Sequence, residues 1–352
     1  MPRGVRMALR VVLAVAGLAA FAADFVPAVQ GNMRNSEADA LVLRDGRVLL
    51  AWTEFTGDGR SDWSGARLSA RISSDQGESW GERFILQNNI GAMNVMEPDL
   101  LRLKSGKVLF LFCRKNSPAD CAPMARLSRD DAKTFSAPVA MAITPSPSYT
   151  AFNHDRAIQL RGGRVLMPMF FTSDYRVDPH IRSRVYYSDD EGVSWRPGET
   201  VLDLPQSKAG AQEPGVIELR DGRVMLWVRT DLGRIYRAYS RDKGLTFSAL
   251  EPMAGLESPL SPQSIKRHPK SGDLILVWNN SPKTRTPLST AVSRDEGIHW
   301  ERVKVLDETP EATFAYTSIE WLRDRALLSY YAGTNGGWSL RVRLLPLNWF
   351  YQ

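Results

Sequence analysis

The chain has 352 residues, of which 24% are charged and 43% hydrophobic, and a formal net charge of +6. That balance fits a globular protein with a large core and excludes disorder as its general description. No basic run of the kind that marks a nucleic-acid binder is present, and four histidines with two cysteines at no ligand spacing argue against a metal centre.

In chain order, the first feature is a leader. Arg3, Arg6 and Arg10 precede the apolar run Val11 to Ala20, with small residues around Ala20, Ala22 and Ala23. A basic start, a short apolar middle and an Ala-x-Ala-like end predict a signal peptide over residues 1–23 and a secreted or periplasmic mature protein. The run is too short to span a bilayer comfortably, and no later stretch comes close, so no membrane span is expected after the leader is removed. Export permits a bridge between Cys113 and Cys121; two buried thiols are the equal alternative.

Residues 24–352 then carry two interleaved repeats. The first reads SxDxGx(S/T)W and begins at Ser73 (SSDQGESW), Ser128 (SRDDAKTF), Ser188 (SDDEGVSW), Ser240 (SRDKGLTF) and Ser293 (SRDEGIHW), at steps of 55, 60, 52 and 53 residues. A period in this range marks a propeller or another repeat architecture. The Asp side chain can accept backbone amides within its own turn, Gly supplies a positive φ, and the aromatic ring packs beneath. Asp75, Asp190, Asp242 and Asp295 are therefore read as turn locks and left out of any catalytic set; Ala132, standing where Gly is expected, is expected to distort the second turn.

The second repeat is a hairpin: LVLRDGRVLLAW (41–52), LLRLKSGKVLFLF (100–112), IQLRGGRVLMPMF (158–170), VIELRDGRVMLWV (216–228), IKRHPKSGDLILVW (265–278) and IEWLRDRALLSYY (319–331). Each joins two apolar, β-rich runs through a polar turn. Six hairpins and five boxes predict an all-β fold, a six-bladed β-propeller of four strands per blade forming a single domain, its last blade lacking a box and closing on N-terminal residues.

In that arrangement the starts of the first strands face one funnel. They carry Glu37 and Asp39; Glu97 and Asp99; Asn153, His154, Asp155 and Arg156; Glu213; Ser261 and Gln263; Tyr316 and Ser318. The second strands lead to Arg114, Arg229 and the loop of Arg285. A convergent polar cluster in a concavity is the default site, and guanidinium groups beside carboxylates suit an anionic or polyhydroxylated ligand. Blade-holding ion pairs are the plain alternative for any one of these arginines.

EPGVIELRDGRVMLWVRT (213–230), TRTPLSTAVSRDEG (284–297) and AYTSIEWL (315–322) lie in that order, and with the boxes they resemble the sialidase superfamily over essentially everything after the leader. The resemblance implies a retaining exo-glycosidase acting on a glycan that ends in sialic acid or a related acidic sugar. It assigns Tyr316 as nucleophile, Glu213 as its base, and Arg229 with Arg285 as part of a carboxylate clamp. The acid/base is Asp62 in GDGRSDWSG, with Asp58 its rival. A phenol suits this role because a carboxylate nucleophile would meet the substrate's own negative charge. No motif implies a cofactor.

The chain departs from the family where an Arg-Ile-Pro-like motif is expected. Glu37 stands in the arginine's place, within Glu37-Ala38-Asp39-Ala40-Leu41. A carboxylate there is expected to repel the substrate's, with Arg34, Arg114 and Arg156 as candidates to compensate. The expected substrate-binding set is therefore Arg229, Arg285, Glu37, Asp39, Arg114, Asp155 and Arg156. Two other readings stay open: a sialidase-like enzyme acting on a different sugar by hydrolysis or elimination, and a glycan-binding propeller without catalysis.

Overall fold

The computed structural model describes residues 24–143 and 148–352, which form antiparallel β-structure with one short 3-10 helix at Leu347–Tyr351. The predicted leader lies outside the described residues. Among the described residues no helix is long and apolar enough to cross a membrane.

Five of the six hairpins form where two apolar runs meet at a turn with a positive-φ glycine; the sixth turns at 322–325 without one. In the first, Leu43 accepts from Gly46 N–H at 2.9 Å and donates to Arg47 at 2.7 Å, and Gly46 has φ 86°. The strands make one 13-stranded and three 4-stranded sheets; by antiparallel pairing they divide in chain order into six groups, the first three linked by the single parallel pairs of Ala66 with Asn94 and Cys121 with Tyr149. The first three are Asn35–Val42, Val48–Phe55, Ala66–Ser73 and Phe84–Gln87; then Asn94–Arg102, Val108–Ser117, Asp120–Ser128 and Val139–Ala140; then Tyr149–Ala151 and Ile158–Gln159 on one side of Val165–Thr172, followed by Arg182–Ser188 and Arg196–Pro197. The fourth is Gln212–Glu218, Val224–Arg229, Arg234–Ser240 and Glu251–Glu257, and the fifth is Ser264–Arg267, Leu274–Asn279, Leu288–Ser293 and Glu301–Asp307. The sixth, Thr313–Trp321, Arg325–Thr334 and Gly337–Pro346, takes its outer strand, Asp24–Val26, from the other end of the chain.

The core is divided among the contacts between groups. Along Val108–Ser117, Val108, Phe110 and Phe112 pack with Leu41, Leu49 and Leu68 of the first group, whereas Leu109, Leu111 and Cys113 pack with Val165, Met167 and Tyr186 of the third. Alternate residues thus serve opposite neighbours, which is why the second strands read as continuous apolar runs. Equivalent clusters join third to fourth, fourth to fifth and fifth to sixth, and Trp52 and Leu50 meet Leu322, Leu327 and Leu340 to join the last group to the first.

The boxes lie between third and fourth strands and lock themselves. In the first, Asp75 accepts from Ser73 Oγ (2.8 Å), Ser79 N–H (2.8 Å) and Ser79 Oγ (2.5 Å), and the Trp80 ring nitrogen donates to the Gly77 carbonyl (3.0 Å). The second box corrects one expectation. Ala132 does not distort the turn: it adopts the glycine conformation at φ 62° and donates to Ser128 Oγ at 2.9 Å, as Gly77 does to Ser73 at 2.8 Å. The left-handed backbone costs a residue with a Cβ about 1–2 kcal/mol, and the turn's own hydrogen bonds offset it.

Candidate active site

Five of the six groups begin with the same backbone device. Glu37, Glu97, Asp155, Glu213 and Tyr316 all have positive φ, between 42° and 61°, and the strand register slips beside four of them, between Ser36 and Ala38, Met96 and Asp99, Gln212 and Gly215, and Ala315 and Ser318. A bulge re-aims one side chain away from its strand's alternation. None of the five is glycine, so each carries backbone strain of about 1–3 kcal/mol, the kind concentrated at functional sites.

Two of these bulges bring Tyr316 to Glu213, although 103 residues separate them. The phenol donates to Glu213 Oε1 at 3.3 Å, and Glu213 Oε2 accepts from Arg229 Nη1 at 2.7 Å. Burial, then Glu213, pushes the phenol well above its usual pKa, while Arg229 and Arg285 pull the other way. Tyr316 therefore rests as a neutral phenol beside an acceptor able to take its proton. Arg285 lies with its guanidinium 5.9 Å from the Tyr316 ring, held by Tyr331 Oη (2.8 Å) and the Leu260 carbonyl (3.0 Å).

Tyr316 and Glu213 line a recess partly open to solvent, together with Asp62, Glu97, Lys115 and Tyr175. Cys113 and Cys121 also line it as buried free thiols. Glu97 Oε2 accepts the His154 N–H at 3.0 Å and lies 3.1 Å from the His154 ring Nδ1. Burial and then Glu213 push the Glu97 carboxyl up to about 8, and burial pulls His154 down to about 4. At neutral pH both are largely uncharged. Asp62 is the opposite case: desolvation works against its carboxylate, but Arg34 and Lys115 outweigh it and hold the pKa at about 2.

With this geometry in view, the chain matches the family model of the BNR repeat-like domain over residues 92–327, about two thirds of its length. The chain belongs to the BNR repeat-like family of the sialidase superfamily. It is 26% identical to a sialidase of Paraclostridium sordellii over 235 residues (60% of this chain, 56% of the relative). It is 27% identical to a sialidase of Micromonospora viridifaciens over 300 residues (75% and 44%). The chain thus spans about half the length of these curated relatives. Among solved structures, a Dyadobacter fermentans protein of unknown function superposes with a TM-score of 0.76 at 19% identity, covering 92% of this chain and 97% of that one. A Hadza microbial sialidase superposes with a TM-score of 0.74 at 16% identity, covering 90% and 66%. The all-β fold is that of the sialidases, which are β-propellers.

Within this BNR-type fold, several residues expected at the ligand lie elsewhere. Glu37 does not face the recess. It is fully buried beneath Arg34, with Oε1 2.5 Å from Arg34 Nη2 and Oε2 accepting from Ser36 Oγ at 2.6 Å; burial pushes its carboxyl up to about 7 against the pull of Arg34. Asp39 and Asp155 bind neighbouring backbone instead: Asp39 accepts the Leu100 N–H (2.7 Å), and Asp155 accepts the Ile319 N–H (3.1 Å) and pairs with Lys266. Arg156 donates to the Gln263 carbonyl at 2.9 Å. Each ties its group to another, because a buried carboxylate or guanidinium must find partners wherever the assembled groups supply them. Asp58 anchors its loop by accepting the Gly31 N–H at 2.8 Å.

Arg114 misses the recess by one residue. Its neighbour Lys115 occupies the position, with Nζ 3.1 Å from the Asp62 carbonyl and 4.7 Å from the Trp63 ring centre. Successive side chains of a strand point to opposite faces, so extending the strand's alternation from Cys113, which lines the recess, would have selected Lys115. Tyr175 carries no such signal: it sits in an irregular loop and reaches the recess through ring contacts with Trp63 (5.9 Å) and Tyr149 (5.5 Å).

Proposed function

We propose that the chain is a retaining exo-glycosidase of sialidase type, its six strand groups the blades of a propeller, which removes a terminal sialic acid or related acidic sugar from glycans. The observation that carries this reading is the Tyr316–Glu213–Arg229 chain of contacts at 3.3 and 2.7 Å, with Arg285 beside the phenol. As the Tyr316 oxygen attacks the anomeric carbon, its proton passes to Glu213, and the bond to the leaving oxygen breaks as Asp62 protonates that oxygen. Water, deprotonated by Asp62, then releases the sugar from the tyrosine and returns the anomeric configuration to its original sense. Arg229 and Arg285 attract the sugar's carboxylate, and the neutral phenol avoids the repulsion a carboxylate nucleophile would meet. The basic–apolar–small pattern of residues 1–23 supports export.

The test is release of sugar from an aryl α-sialoside and from a sialylated oligosaccharide. Tyr316→Phe should lower kcat by about 10²–10⁴-fold, the range typical of losing a group that moves a proton or bond in the transition state; undiminished turnover removes Tyr316 from the mechanism. A different sugar is the second reading, favoured by Glu37 beneath Arg34. Activity confined to a non-sialic substrate in a panel of acidic and neutral glycosides would select it, and tight glycan binding with no product would indicate a binding module.

A further inference from the structure

Arg34 has two kinds of partner. On one side Nε donates to Ser36 Oγ (2.8 Å) and Nη2 meets Glu37 Oε1 (2.5 Å), and the guanidinium lies between the Phe55 and Trp338 rings at 4.2 and 4.6 Å. Ser36, Glu37 and Phe55 are fully buried, so this side stays fixed unless the core opens. On the other side Nη1 meets Asp62 Oδ1 at 2.6 Å and the Arg60 carbonyl at 3.0 Å. The Asp62 side chain is 48% exposed, against 2% for Arg34 and 0% for Glu37. Asp62 is therefore the one charged partner of Arg34 that has an open side, and it faces the recess.

The resting arrangement does not suit Asp62 as an acid. Its carboxylate is held ionised by Arg34 and by Lys115, with Arg229 adding to the pull, whereas protonating a leaving oxygen requires a carboxyl that holds a proton near the working pH. Replacing one carboxylate by another on a buried guanidinium keeps the cation paired, so the exchange avoids the large penalty of leaving a buried charge alone.

We propose that Arg34 is an anion site shared in turn: the carboxylate of the incoming sugar displaces Asp62 from Arg34, and the freed Asp62 takes up a proton from solvent and becomes the acid. This rests on the sialidase-type reading of the recess. Glu37 is then a positioning residue that holds Arg34 from behind. The remaining charged and titratable groups around Asp62 are Lys115, Arg229, Glu37, Glu97, Tyr149, Tyr175 and Tyr316; Lys115 and Arg229 attract the departing carboxylate, and the Glu97 carboxyl, largely uncharged at neutral pH, does not repel it.

The experiment is calorimetric titration with free N-acetylneuraminic acid and with its methyl ester, near pH 6, on the native protein and on Asp62→Ala, both checked for an unchanged melting transition. Removing the competing carboxylate should tighten binding of the acid by roughly three- to tenfold, the size expected of a half-exposed ion pair, and leave binding of the ester unchanged. Repeating the titration in buffers of different ionisation enthalpy should show proton uptake on binding to the native protein that is lost in Asp62→Ala. Equal or weaker binding of the acid to Asp62→Ala, without a change in proton uptake, would overturn the exchange and leave the sialidase-type reading standing. Failure of the native protein both to bind the acid and to cleave the aryl sialoside would remove that reading and the exchange with it.

Discussion

The Asp75 turn and the Glu97 bulge put the same chemical group to opposite uses. Asp75 sits at the outside of its group, where the Ser79 hydroxyl and N–H, then the Ser73 hydroxyl, hold its pKa at about 2. All its partners lie within four residues of it. Glu97 sits at the inner start of its group, where burial and then Glu213 push it up to about 8, and the groups that act on it come from 35 and more residues away. The local turn satisfies its carboxylate before any tertiary contact forms. At the inner position carboxylates and cations are gathered by assembly of the whole chain, and their charges, strain and proton affinities belong to that assembly. The outer carboxylate serves its own turn, whereas the inner ones supply both the ties between groups and the chemistry.

Substitutions at three positions sharpen that contrast. The largest effect should come from Asp155, which stands among the inner carboxylates yet acts as a tie between groups. Asp155→Ala leaves Lys266 and the Ile319 N–H without their partner and should lower the unfolding free energy by roughly 3 kcal/mol in urea denaturation; Asp155→Asn, which keeps an acceptor, should recover part of it. Loss of activity with no change in the urea midpoint would return Asp155 to the substrate-binding set.

Glu97 should give the next effect, visible as a pH dependence. The folded chain holds its proton to about pH 8, whereas the unfolded carboxyl releases it near 4.5. Between those values the folded state binds more protons, so stability falls as pH rises through the window. Glu37 and Glu320, both pushed up to about 7 by burial, act in the same direction. Glu97→Gln should flatten the decline of melting temperature from pH 5 to 8 and add on the order of 1–3 kcal/mol at pH 8, since each pKa unit corresponds to ~1.4 kcal/mol. A profile unchanged by the substitution would mean that Glu97 is solvated.

The smallest effect belongs to the boxes. Asp190→Ala removes acceptors for Ser188 Oγ, Ser194 N–H and Ser194 Oγ and should cost about 1 kcal/mol in the same denaturation assay, since its site is exposed. Turnover of the aryl sialoside should be unaffected; a drop in kcat at unchanged stability would tie the outer turns to the recess.

Much of this architecture was readable without coordinates because its determinants are local. The apolar runs at 48–55 and 108–117, the positive-φ glycines of the hairpin turns and the self-locking aspartates specify strands and turns within a few residues of themselves, and their spacing fixes how often the pattern recurs. Arg229 was within reach of sequence for the same reason, lying at the end of the strand that pairs with the one bearing Glu213.

What sequence alone determined, then, was the repeating β-hairpin and box, and the residue types available at the inner strand starts. Only the tertiary structure decided what those residues do. Left-handed residues at Glu37, Glu97, Asp155, Glu213 and Tyr316 send some side chains into the recess and others between groups, independently of strand alternation. Glu37 thereby became the support of Arg34, Asp39 and Asp155 became ties, and Lys115 took the place read for Arg114. The reason is physical: a carboxylate's role is set by the dielectric and the charges around it, and at the inner ends those are contributed by residues brought together only when the groups assemble.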